Sequence, residues 1–406
     1  MKKEIILIGL IIFSTFFFIN QNTEWDEYVY LMNAKYFIGE KIYFENIRPP
    51  LLPLLISPFY LLGLENFVFV LPLFILIGVC FVLLKFSKDD SAVLFLFAFP
   101  IFLMYANKLM TSVLATLFLL ISLYFMKKHV KNGKKKYLFL SYFFASITTL
   151  TRYPLGISWI IITVLYFIFS KKKQIKELFI SQLFFIVPII IWILIIGYES
   201  FFYAFLWGSH DSNQLTYLIN IFTILGPSIS FIPLIFFKKF EKKDWWYLIP
   251  LLIILFTFQI FTHKEPRYLI PILPFIAILF SKSFNSSIKK PIIIAFFIVS
   301  LLITNFYFSQ ICDNSDNLNE LSSFFENVSD KIILSTFWPT CSYYTENTNY
   351  GIFEPCDTVY QRINELNASY IVISSNYDCF NQELFKDYSL VKLINDSCET
   401  ILIYKN

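Results

Sequence analysis

Residues 24–53 read EWDEYVYLMNAKYFIGEKIYFENIRPPLLP and hold two kinds of group that could act on a phosphate ester. Glu24, Asp26 and Glu27 fall within one helical turn, and Arg48 follows ahead of a Pro-Pro pair. A carboxylate fixed in a first turn can serve as a general base once its pKa is tuned. A planar guanidinium grips a phosphate through two parallel hydrogen bonds, which an ammonium cannot do. The stretch follows directly on a hydrophobic segment, so both groups belong at a membrane surface. That pairing points to chemistry on a phosphate-bearing lipid.

Arginine is scarce here, with four against 29 lysines, and its placement is informative. Arg362 lies in the C-terminal tail. Arg48 in IRPP, Arg152 in TRYP and Arg267 in EPRY each have a proline within two residues. All three fall at expected outer boundaries of membrane segments, where charges tend to be functional. Arg48, Arg152 and Arg267, with Lys264 beside them, are therefore expected to hold a phosphate; interfacial anchoring is the plainer alternative. Thr23-Glu24-Trp25-Asp26 fits a helix-capping pattern, with acid where the helix dipole favours it, and Gly39 is placed to end that helix. Capping and catalysis are compatible, so Asp26 is the expected base and Glu27 the second candidate. Tyr28, Glu265 and Tyr268 are expected substrate contacts.

The elements that must position these groups are membrane helices. The chain has 406 residues, 57% hydrophobic, with 50 phenylalanines. Its mean hydropathy is +0.63. A soluble domain averages about 45–50% apolar residues. At about 20 apolar residues per span, we read about 11 spans, near 4–20, 66–85, 91–106, 112–126, 137–151, 154–169, 178–197, 217–237, 246–262, 268–281 and 291–308. The run 51–63, LLPLLISPFYLLG, is short and carries Pro53 and Pro58. Taken as an interfacial helix, it leaves 21 lysines on the inner face and four in outer loops. Cytoplasmic loops carry such an excess, so the N-terminus is expected inside and the first loop and tail outside. The lysine clusters are then inner loops and not a nucleic-acid surface.

The division expected is a membrane domain over 1–309 and a small extracytoplasmic α/β domain over 310–406. KIILSTF, YIVISSN and ETILIYKN read as its strands, with helices at 317–328 and 357–368. Cys312, Cys341, Cys356, Cys379 and Cys398 all fall in this tail. Two disulfides with one cysteine left over would suit an oxidising compartment. His129, His210 and His263 are too scattered to argue a histidine-based metal site. Asp244-Trp245-Trp246-Tyr247 reads as an interfacial aromatic cluster on the inner side.

WDEY at 25–28, AKYFIGE at 34–40 and RPPL at 48–51 resemble the first outer loop of GT-C type glycosyltransferases that use lipid-linked sugars. Protein O-mannosyltransferases and bacterial aminoarabinose transferases are the relatives most resembled. TRYP at 151–154 and HKEPRYLIP at 263–271 are similar to later outer-loop positions of those families. The resemblance covers about residues 1–310. It implies a polyprenyl-phosphate sugar donor, inversion at the anomeric carbon and Asp26 as base. One departure stands out: many such sequences carry a second Asp where Ser112 stands here. Glu265 is a candidate for that missing carboxylate. No cofactor is required on this reading, and a divalent metal stays open.

The function expected is transfer of a sugar from a polyprenyl-phosphate donor to a hydroxyl of a lipid, glycan or protein acceptor, at the outer face of the cell membrane. The partners are that donor, the acceptor and membrane lipids, with no nucleic acid. A transporter of an anionic or lipid-linked substrate, or a non-catalytic receptor or assembly factor, is the alternative. A transporter predicts charges and helix breaks inside spans, whereas the charges here gather at the boundaries.

Overall fold

The computed structural model describes residues 25–406 apart from 41, 43, 171–173, 207–214, 234–239, 262–263, 285, 310–314, 326–327, 329–330, 337, 346–347, 352–365, 375–387 and 396–399. The expected span 4–20, Glu24, His210, His263, Arg362 and most of the expected helix 357–368 lie outside the described residues. In chain order the helices are α1 (Trp25–Phe37), α2 (Leu51–Leu61), α3 (Leu71–Ser87), α4 (Asp90–Leu96), α5 (Pro100–Ala106), α6 (Thr111–Asn132), α7 (Lys135–Thr151), α8 (Ser158–Phe169) and α9 (Ile175–Ile196). There follow α10 (Tyr198–Leu206), α11 (Thr216–Ile219), α12 (Ile221–Leu225), α13 (Trp245–Ile260), α14 (Leu273–Ser283), α15 (Ser286–Ser309), α16 (Ser315–Phe325) and α17 (Trp338–Thr345). Contacts divide the chain into two units. One holds Asn46–Leu52 and Phe69–Phe308; the other holds the first-loop residues up to Glu45, Pro53–Val68 and Ser309–Asn406.

In the helical unit, burial separates helices that face lipid from helices that face protein. Among the described residues, four stretches are long and apolar enough to cross a membrane: Glu65–Ser87, Thr111–Asn132, Ile175–Ile196 and Lys242–Ile260. α9 leaves large side chains outward along its length, with Leu194 79% exposed. Lipid is the solvent that such a surface requires. α6 and α7 pack closely, and Ser122 and Ser141 exchange hydroxyl-to-carbonyl hydrogen bonds of 2.8 and 2.9 Å between them. Small polar residues of this kind let membrane helices approach and bond.

The expected span 91–106 is two helices. α4 ends at Leu96, and Pro100 opens α5. The break is lined by Phe95, Phe97, Phe99 and Phe102, all fully buried. Ser300 Oγ donates to the freed Ala98 carbonyl at 2.6 Å. Irregular backbone is tolerated at membrane depth where protein re-satisfies it in this way. The expected span 217–237 is likewise broken, into α11, α12 and a 3-10 turn over Gly226–Phe231. Gly226 has φ +56, and a Cβ there would lie 2.8 Å from Pro100. Only glycine allows this segment to approach α5 so closely. The expected span 268–281 begins as a 3-10 turn, Pro266–Ile272, and becomes helical as α14.

In the other unit, α1 ends as its sequence indicates. Gly39, at φ +95, donates to Tyr36 O at 2.9 Å, and Glu40 N donates to Lys35 O at 3.2 Å. Together these form a Schellman cap. Asn33 then fixes the loop that follows: its amide donates to Glu45 O and accepts from Glu45 N, both at 3.1 Å. α2 is 11 residues long, about 16 Å, too short to cross a hydrocarbon core of about 30 Å. Ser57 Oγ ties it to the Ala34 carbonyl at 3.2 Å.

The tail holds a five-stranded sheet in the order β2-β1-β3-β5-β4, with β1 Ile332–Ser335, β2 Thr348–Gly351, β3 Tyr370–Ser374, β4 Ser389–Asn395 and β5 Thr400–Lys405. β2, β1 and β3 are parallel; β5 runs antiparallel to β3 and β4. Leu334, Ile371, Ile373 and Leu402 fill one face. Ile333, Val372, Ile401 and Ile403 fill the other, covered by Leu321 and Phe325 of α16. The three strands expected from sequence are β1, β3 and β5. Of the tail cysteines only Cys341 is described, as a buried thiol with Sγ 3.2 Å from Ser335 Oγ. Cys312, Cys356, Cys379 and Cys398, which the expected disulfides require, lie outside the described residues.

Candidate functional site

Proline sets out the arginines of the helical unit. α7 stops at Thr151 because Pro154 follows, and Arg152 takes an extended conformation (φ −156°) before a 3-10 turn over Tyr153–Ile157. Glu265 is extended in the same way (φ −119°) before Pro266 opens the turn that carries Arg267 and Tyr268. Arg48 precedes the Pro-Pro pair that leads into α2. Each proline ends regular structure at a helix end and leaves a long cationic side chain at the junction.

The junctions that carry Arg152 and Arg267 meet at Tyr268. Arg267 Nε pairs with Glu265 Oε2, and Arg267 Nη1 donates to Met110 Sδ at 3.7 Å. The Tyr268 hydroxyl donates to the other Glu265 oxygen at 3.4 Å. The Arg152 guanidinium lies 4.1 Å from the centroid of the Tyr268 ring, and its Nη1 donates to Ser112 Oγ at 2.6 Å. Lys264 is buried and donates to Phe261 O at 2.7 Å. At the third junction the Arg48 carbonyl accepts from the hydroxyl of Tyr153, the residue after Arg152, at 3.3 Å. That hydroxyl in turn accepts from Trp192 Nε1 at 2.8 Å.

The electrostatics of this network favour an anion. Glu265 is committed to Arg267 and Tyr268. Arg152 has no carboxylate partner among the described residues, and its Nε is buried without a hydrogen bond. Met110 and Ser112 open α6, whose N-terminus carries no side-chain cap. The positive end of that helix dipole adds to the two guanidiniums. Ser112, the position where an acid was expected from the resemblance, therefore orients Arg152 without neutralising it.

Lys127 and Lys282 lie at the other ends of these helices. Lys127 follows Ser112 by fifteen residues on α6, about 22 Å along the axis. Lys127 Nζ donates to Phe86 O at 2.9 Å and to the Tyr247 hydroxyl at 3.3 Å. Asp244, from the aromatic cluster read as interfacial, is buried, closes a capping box with Glu241 and pairs with Lys282 at 2.7 Å. Its carboxylate closes the 3-10 turn ahead of α13 and joins that turn to α14.

An apolar groove of about 480 Å³ lies between α8 and α13, lined by Ile157, Ile160, Leu252, Phe256, Ile260 and Phe261. Phe256 is 69% exposed, so the groove opens to lipid. Its two ends of chain lead to the network: Ile157 closes the turn after Arg152, and the Phe261 carbonyl holds Lys264.

Asp26, Glu27 and Tyr28 stand in the first turn of α1, in the other unit. Glu27 is buried, 5% exposed, whereas Asp26 is partly exposed. The Tyr28 ring packs 5.2 Å from that of Tyr343 on α17. Among the described residues no group of three or more His, Cys, Asp or Glu could hold a metal ion. The reading of the sequence missed Ser112 as a partner of Arg152. It also missed Tyr217, whose buried hydroxyl feels the charges of Arg152 and Glu265.

The fold is shared with solved structures of a membrane transferase, and part of the chain matches a mannosyltransferase family model. Residues 204–332 match the Alg9-like mannosyltransferase family. The crystal structure of ArnT from Cupriavidus metallidurans bound to undecaprenyl phosphate superposes with a TM-score of 0.70 at 11% identity, over 98% of this chain and 97% of that one. ArnT from the same organism in the apo state gives 0.71, with the same identity and coverage. No curated protein matches the chain by sequence.

Proposed function

We propose that this protein is an integral membrane glycosyltransferase that moves a sugar from a polyprenyl-phosphate donor to a hydroxyl acceptor at the outer face of the membrane. The observation that carries the reading is the Arg152 network. It is a cluster of cations with one guanidinium that has no carboxylate partner among the described residues, next to an apolar groove open to lipid. An ArnT structure of the same fold was solved bound to undecaprenyl phosphate. In this reading the polyprenyl chain lies in the groove between α8 and α13. Arg152 and Arg267 hold the phosphate, with Arg48 and Lys264 completing the cationic field. Fixed cations aimed at the developing charge of a leaving phosphate lower the barrier without reorganising.

Asp26 takes the proton from the acceptor hydroxyl. The acceptor oxygen bonds to the anomeric carbon as the bond from that carbon to the phosphate oxygen breaks, and the phosphate keeps the electron pair. Attack from the face opposite the phosphate inverts the anomeric centre. Asp26 suits the role better than Glu27 because it keeps access to solvent while Glu27 is buried. Tyr28, Tyr268 and Glu265 contact the sugar or its phosphate. Residues 1–309 are the transferase domain, with about 11 spans and the N-terminus inside. Residues 310–406 are an extracytoplasmic α/β domain that receives the acceptor.

The test is transfer or hydrolysis of a radiolabelled polyprenyl-phosphate hexose by purified protein. Asp26→Asn should abolish turnover while leaving membrane insertion and thermal unfolding unchanged. Full activity in that variant removes Asp26 as base. Flux of label into sealed vesicles without turnover favours a transporter.

A further inference from the structure

Tyr217 sits on α11, in the segment that breaks an expected span, and is 8% exposed. Its hydroxyl is buried and has no hydrogen-bond partner among the described residues. It lies within electrostatic reach of Arg152, Tyr268 and Glu265. Arg152 Nε is a second buried atom without a partner among the described residues, on the guanidinium whose charge reaches the Tyr217 hydroxyl. Buried polar groups are nearly always bonded, so two orphans around one guanidinium need an explanation. Arginine Nε can only donate, and a phenol donates readily. The group that would satisfy both is an acceptor, and beside a guanidinium with no carboxylate it is an anionic one.

We propose that the Tyr217 hydroxyl and Arg152 Nε donate to the same phosphate group, making Tyr217 a binding residue for the lipid phosphate. Ser112 and the Tyr268 ring are positioning residues, since they hold the guanidinium through Nη1 and through its face. This inference rests on the donor assigned above, and it adds a neutral donor to a site otherwise built of cations. Such a donor pays a desolvation cost when the site is empty and recovers it when phosphate arrives.

That asymmetry gives the test. Tyr217→Phe keeps the ring and its packing and deletes the orphaned hydroxyl. The empty variant should unfold at the same temperature as the wild type or higher, because an unsatisfied buried group has been removed. Its affinity for undecaprenyl phosphate, measured on the full chain in detergent by native mass spectrometry, should fall about tenfold. Undecaprenol, which lacks the phosphate, should bind wild type and variant equally. Wild-type affinity for undecaprenyl phosphate in Tyr217→Phe overturns the inference, as does an equal loss for undecaprenol. If Arg152→Gln loses phosphate-dependent binding while Tyr217→Phe does not, the donor reading stands and Tyr217 alone falls. Absence of binding by the wild type overturns both.

Discussion

Arg152 can serve a phosphate only if it is held without being neutralised, and Ser112 meets that requirement. A hydroxyl at 2.6 Å fixes one edge of the guanidinium, and the Tyr268 ring supports its face. The positive charge stays available for a ligand. Ser112→Asp would place a carboxylate at this point and convert the hydrogen bond into an ion pair. Affinity for undecaprenyl phosphate should then fall by roughly tenfold, as the ligand must compete with the new partner. Ser112→Ala, with the Tyr268 stack intact, should cost less. An equilibrium titration of both variants at one ionic strength checks the order. The arginines were legible in the sequence because the chain uses so few and places each beside proline. Tyr217 was not, being one of 25 tyrosines in a strongly apolar chain. Its neighbours come from other elements, and no local pattern marks it.

Helix breaks decide where these side chains stand. Hydropathy reads 91–106 and 217–237 as continuous spans because most of their residues are apolar. It carries no information on whether a freed carbonyl will find a donor. The structure supplies one, Ser300 to Ala98, and packs Gly226 onto Pro100 beside it. Gly226→Ala should therefore destabilise the protein by more than the ~1–2 kcal/mol of a left-handed backbone, since its Cβ would also meet Pro100 at 2.8 Å. Thermal unfolding in detergent measures this. The same variant should weaken undecaprenyl phosphate binding, because the displaced segment carries Tyr217. The end of α1 was legible throughout, since a glycine after an amphiphilic run marks a Schellman cap. β2 was not: TNYG has no alternating apolar pattern and is a strand only because β1 pairs with it.

At the scale of the helical unit, charge is sorted along the helices: the arginines with Glu265 and Lys264 lie at one end, and Lys127, Lys282 and Lys289 with Asp89 and Asp244 at the other. Asp89 joins three elements there. It accepts from Ser91 N at 3.0 Å and from Ser281 Oγ on α14, and pairs with Lys289 on α15 at 3.5 Å. Burial raises its carboxyl, but the Ser281 and Ser91 donors and the Lys289 charge outweigh this and hold it below the ordinary value. A carboxylate lowered in the folded state adds stability above its unfolded pKa, about 3.9. That stability is lost as pH falls through the lower folded value. The unfolding temperature should decline below about pH 4, and Asp89→Asn should flatten that part of the profile. An unchanged slope would show that Asp89 is not linked to folding.

The sequence by itself determined the membrane character, the lysine asymmetry, the strands β1, β3 and β5, and the proline-marked junctions that carry the arginines. Each of these follows from composition or from residues a few positions apart. Only the tertiary structure decided the pairing of charges. Glu265 goes to its near neighbours Arg267 and Tyr268, while Arg152 reaches Ser112, 40 residues away, and Arg267 reaches Met110, 157 residues away. Hydrogen bonds act over about 3 Å. Which donor keeps an open valence is therefore set by how the helices pack, and here the open valence is left on Arg152.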